Sequence, residues 1–135
     1  KVKLSQKEIR ETARKVISSE YKGDIPLSKL KVSLVFVDDE EMVPLNRAYT
    51  GREGTTDVLA FPMVDEFDKK APFAILGEVI VSVEKAILQA RENGWSPASE
   101  VKLLVIHGLL HLLGYDHLSK DEELIMRSKE REYLI

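Results

Sequence analysis

The chain has 135 residues, 44% hydrophobic and 32% charged, which fits one domain with its own core and excludes a disordered tail protein. It contains no cysteine, which excludes disulfides and thiolate metal sites and agrees with a reducing, cytoplasmic setting. The net charge of −3 excludes a uniformly basic nucleic-acid binder, and no apolar run is long enough for a membrane span or a signal-peptide core.

The charge is unevenly spread. Residues 1–31 carry nine Lys/Arg against four acids, and the rest of the chain carries 11 basic and 19 acidic residues. A basic amino-terminal quarter on an acidic body predicts one face that meets phosphates, with Arg10 and Arg14 among the contacts. The same pattern suits a solvated helix with a charged outer face.

In chain order, Ser5 and Glu8 form a capping box, followed by Ile9, Ala13, Val16, Ile17 and Tyr21 at helical spacing. This predicts an amphipathic first helix that stops at Gly23. Lys31–Val37 is β-branched and nearly all apolar, the pattern of a buried strand. The acids at 38–41 open a short helix with Met42, Leu45 and Tyr49 on one stripe. Residues 50–56 form a loop with two glycines, leading into a brief strand, Asp57–Phe61, that Pro62 ends. Residues 65–72 are polar and predict a mobile loop. Ile75–Val83 is the second long strand. A helix over Glu84–Asn93 closes at Gly94, Ser96–Pro97 opens another, and Ser119–Glu122 begins the last. Trp95, between two helices, reads as a core plug rather than a base-stacking platform. The order α-β-α-β-β-α-α-α predicts one α+β domain, residues 1–135, around a small mixed sheet flanked by helices.

All three histidines lie in the segment HGLLHLLGYDH, as His107, His111 and His117. A separation of four on a helix turns His107 and His111 to one face, with Cβ atoms roughly 5–6 Å apart. Gly114 is a natural left-handed helix stop, and a reversal there returns His117 over the helix end. Three neutral imidazoles with an open fourth position describe a catalytic zinc site, though nickel or copper suits nitrogen as well. Metal proteases use the related pattern H-E-x-x-H-x-x-G-x-x-H, but here Gly108 replaces the glutamate base, which argues against proteolysis. Asp116 reads equally as a group that orients a histidine and as a turn cap.

The histidine segment, with Leu45–Pro62 (LNRAYTGREGTTDVLAFP) and Leu76–Ser82 (LGEVIVS), resembles the YbeY family of bacterial single-strand endoribonucleases. The three motifs occur in the family's order, and the resemblance covers about residues 25–130. It implies one zinc ion per chain on the three histidines, and a helix-flanked sheet whose metal-binding helix is similar to that of the metzincin core. It also implies action on ribosomal RNA in maturation and ribosome quality control, with the ribosome or its small subunit as partner and no DNA. The sequence departs from the family where Thr50 takes the place of an arginine and Glu78 that of an aspartate. Arg52 is then the first candidate for the missing guanidinium and Arg47 the second. Asn46, Thr55, Thr56 and Asp57 are candidate substrate contacts on the same segment, which by itself also suits an ordinary surface turn. The other readings are a zinc-stabilised ribosome assembly factor without cleavage, in which Asp116 supplies a fourth ligand, and a metal hydrolase on a non-RNA substrate.

Overall fold

A computed structural model of the chain describes residues 4–63 and 70–134. Helix α1 spans Gln6–Glu20, strand β1 Leu30–Val37 and helix α2 Asp39–Thr50. Strands β2 and β3 span Val58–Pro62 and Ala74–Ser82, followed by helices α3 (Val83–Asn93), α4 (Pro97–Leu112) and α5 (Lys120–Leu134). This is the element order that the sequence predicts. Most of the expected loop over 65–72 lies outside the described residues.

The helix starts follow their capping signals. Ser5, Asp38, Ser82 and Ser96 each accept a backbone N–H at a helix start. At Asp38–Glu41 and at Ser119–Glu122 the capping box closes in both directions. At Ser5 only the bond from the Glu8 N–H forms. The end of α1 differs from expectation. Its cap is Tyr21 in extended backbone, and Gly23 instead makes room for the Tyr21 ring that folds over it. The Tyr21 hydroxyl then accepts the Ile25 N–H at 3.2 Å.

The sheet order is β1-β3-β2, with β1 parallel and β2 antiparallel to β3. The central strand is therefore β3. Its Val79 and Val81 join the main core with α1, α3, α4 and α5, while Ile80 joins Met42, Val37 and Leu59 beneath α2. Coverage on both faces explains its continuous apolar sequence. The expectation of a buried strand at Lys31–Val37 is corrected, because β1 is an edge strand and most of its residues are only partly buried. Pro62 ends β2 from inside, paired with Gly77 at the sheet edge.

Helix α4 is the hub. Val101, Leu104, Val105, Ile106, Leu109, Leu110 and Leu112 are buried around nearly its whole circumference, as expected of a helix enclosed on most sides. Gly108 lets it approach the sheet, since a Cβ there would lie 2.5 Å from Cγ1 of Val79. A glutamate at 108 would run into β3, so this position offers no room for a peptidase base.

Candidate active site

Leu103, His107 and His111 fall four apart on the stripe of α4 that stays partly open. Sequence and packing together thus place the two histidines at the helix surface. Nε2 of His111 lies 3.1 Å from Nε2 of His107. The helix then ends in a Schellman motif: Gly114 at φ 101°, with its N–H on the His111 carbonyl and the Tyr115 N–H on the Leu110 carbonyl. This reversal brings His117 back, and its ring centroid lies 5.6 Å from that of His107 and 5.1 Å from that of His111. One ligand nitrogen from each histidine falls within 4.8 Å of the others.

Helix α5 supplies a group that sequence reasoning missed. Glu130 places Oε2 2.5 Å from Nδ1 of His107. A proton shared at Nδ1 leaves the Nε2 lone pair facing the other two rings. Asp116, by contrast, accepts its neighbour's backbone N–H, that of His117, at 2.7 Å. The signal for Glu130 was its position: Met126, Glu130 and Tyr133 share the inward stripe of α5, and a carboxylate on such a stripe needs a partner.

A second carboxylate, Glu20 of α1, anchors this arrangement. It is buried and accepts the hydroxyls of Tyr115 and Tyr133, with Nζ of Lys129 at 3.2 Å. Helix α1, the turn after α4 and helix α5 are thereby tied together next to the histidines.

The donor set fits a metal ion. A tetrahedral zinc with Zn–N bonds of about 2.0–2.1 Å puts its ligand nitrogens roughly 3.4 Å apart, close to the 3.1 Å between His107 and His111. Burial, reinforced by the His107 and His117 rings, pushes the His111 imidazole below its ordinary value of 6.5. It is therefore neutral at pH 7, the form that ligates. Among the described residues no fourth histidine or carboxylate joins the cluster, which is the ligand count of an open rather than a closed site.

The segment after α2 is braced internally. The Thr50 hydroxyl lies 2.7 Å from the Asn46 carbonyl and 2.9 Å from its Oδ1, and accepts the Arg52 N–H at 3.2 Å. Buried Asn46 donates from Nδ2 to the Gly54 carbonyl at 3.2 Å. Thr55 donates to Asp39 at 3.0 Å, and Thr56 lies 3.5 Å from Asp57 Oδ1. Asp57 accepts the Val58 N–H at 2.8 Å and the Gln89 amide at 3.2 Å. Arg47 pairs with Glu53 at 2.6 Å, while Arg52 is exposed with no ion pair among the described residues. Glu78 accepts the Ser33 hydroxyl across the sheet at 3.1 Å.

The basic groups divide between two surfaces. Arg10 and Arg14 line a groove between α1 and β1, whereas the cavity beside His107 and His117 is lined by Arg127 and Arg131 of α5. Trp95 lines this second cavity too and is 39% exposed. The expectation that it plugs the core is corrected. The turn between the αL cap Gly94 and the Ser96 cap of α4 holds its backbone at the surface, with its N–H on the Ala90 carbonyl.

Fold and site together define a small α+β domain whose three-imidazole cluster could hold a metal ion. The family described as Endoribonuclease YbeY matches residues 1–135, and the chain belongs to it. A relative from Alkaliphilus metalliredigens, Endoribonuclease YbeY, is 43% identical, with 96% of this chain and 84% of the relative covered. The Aquifex aeolicus protein of the same name is 39% identical, with 90% and 79% covered. The solution structure of TM1509 from Thermotoga maritima is similar at a TM-score of 0.63 and 29% identity, over 95% of this chain and 77% of that one. No helix among the described residues is long and apolar enough to cross a membrane.

Proposed function

We propose that this chain is a zinc-dependent endoribonuclease that cuts single-stranded RNA, with one zinc ion held by His107, His111 and His117. The observation that carries the reading is the convergence of three imidazole nitrogens within 4.8 Å, one ring oriented by Glu130. Membership of a family of that description supports RNA as the substrate. When bound, the ion supplies a Lewis acid for a phosphoryl oxygen.

The chain's own groups supply the rest. Glu130 keeps a proton at Nδ1 of His107, and neutral His111 presents its lone pair. Arg52 offers a guanidinium for the charge that grows on the phosphodiester oxygens, on a loop whose shape Asn46, Thr50, Thr55 and Asp57 maintain. Arg47, already engaged by Glu53, is the second choice. Action on ribosomal RNA at the small subunit, in the cytoplasm, extends the reading and is supported by the motif resemblance. An assembly factor with a purely structural zinc is the weaker reading, since its fourth ligand would be Asp116, which does not join the three converging histidines.

The test is cleavage of an end-labelled single-stranded RNA by the purified protein. Internal fragments that disappear with chelator and return with zinc are expected; a cyclic phosphate on them would assign the 2′-hydroxyl as nucleophile. Fragments produced equally well under chelation contradict the proposal.

A further inference from the structure

Cleavage chemistry accounts for the histidines but not for the surface beside them. The cavity that contains His107 and His117 continues past Leu103 to Trp95, with Arg127 and Arg131 on its α5 wall. Trp95 is 39% exposed and lines the same cavity as the two histidines, where an indole offers an apolar body to a ligand. Trp95 lies two residues before the start of α4 and twelve before His107, which places its backbone roughly 16–18 Å from that of His107 at about 1.5 Å per residue. That separation is too long for one nucleotide and suits a short strand.

Two arginines and two glutamates line this path, and both glutamates are already engaged. Glu130 is taken by His107, and Glu123 is spanned by Arg127 at 2.8 Å in an exposed pair, an interaction that holds little energy against a competing phosphate. Arg131 makes no ion pair among the described residues. We propose, resting on the nuclease reading above, that this cavity is the track for the RNA strand flanking the cut. An unpaired base stacks on Trp95, and phosphates lie against Arg131 and Arg127. Stacking on an indole needs a base out of its helix, so the track admits single strands and excludes duplexes.

The chain has one tryptophan, so its fluorescence reports this contact directly. Zinc-loaded protein is titrated with a 2′-O-methyl single strand of about ten nucleotides, its intactness checked on a gel afterwards, while binding is followed independently by the anisotropy of a labelled copy. Saturable quenching that tracks the anisotropy, and its absence with the same sequence as a duplex, are expected. Trp95→Ala should weaken binding roughly five- to hundredfold, with Trp95→Phe recovering most of it. Arg131→Ala should lower the salt dependence of log affinity by about one contact. Unchanged tryptophan emission at saturating RNA, or full affinity in Trp95→Ala, overturns the track while leaving the nuclease reading intact. Failure of the intact protein both to bind and to cut RNA overturns the two together.

Discussion

Glu130 of α5 and His107 of α4 meet at 2.5 Å between Oε2 and Nδ1, and this contact joins the last helix to the three-histidine cluster. The carboxylate fixes both the ring's orientation and the nitrogen left for a metal. Glu130→Ala should weaken zinc binding by about 10–100-fold, with Glu130→Gln intermediate because its carbonyl still accepts. Competition against a chromophoric chelator measures this without any cleavage assay. An unchanged zinc affinity in Glu130→Ala would remove Glu130 from the centre.

The Glu20 cluster sets a pH window for stability. Burial works to raise the Glu20 pKa, but the bonds from Tyr115, Tyr133 and Lys129 outweigh it and hold the carboxyl below its ordinary 4.5. That contribution is present above 4.5 and is lost as pH falls through the depressed value. Tyr133 is pushed up to about 12 by burial and by Glu20. Its contribution is full below 10 and is lost as pH rises through about 12. Tm should therefore fall on both sides of this window, and Glu20→Gln should lower Tm near neutrality and flatten the acid limb. Parallel Tm curves for the two proteins would contradict this.

Glu100, buried in the first turn of α4, has the opposite sign. Its Oε1 has no hydrogen-bond partner among the described residues. Burial pushes its pKa above 4.5, with a bond from Asn93 opposing and the Asp57 charge adding. Its contribution is full below 4.5 and is lost as pH rises. Glu100→Gln should therefore gain stability relative to the parent as pH rises above 4.5. A difference that stays constant from below pH 4.5 to neutrality in denaturant titrations would count against the assignment.

Gly108 tests the seat of α4 on the sheet. A methyl group there would meet Cγ1 of Val79 at 2.5 Å, so Gly108→Ala should cost about 1–3 kcal/mol of overpacking. Equilibrium unfolding measures it. An alanine variant as stable as the parent would show that α4 and β3 have slack the geometry denies.

The elements that announce themselves by local chemistry were legible in sequence. Caps at Asp38, Ser96 and Ser119 need only neighbouring residues, and the spacing of His107, His111 and Gly114 determines a helix face and its reversal. What depended on distant packing was not. Lys31–Val37 and Ile75–Val83 look alike as apolar runs, yet only β3 lies between two strands, a matter of strand order. Glu130, Glu20 and Trp95 likewise show their roles only once α1, α4 and α5 are brought together. Each left a trace as a residue whose polarity disagreed with its position: two carboxylates on inward stripes, and an indole in a turn at the surface.

The central claim is that RNA cleavage depends on metal held by the three histidines. Its most direct test is one preparation of His111→Ala, checked as folded by circular dichroism, in which bound zinc and RNA cleavage are both measured. Loss of stoichiometric zinc together with loss of internal cleavage is the predicted result. Cleavage at the parent rate by a folded His111→Ala protein without zinc would contradict it.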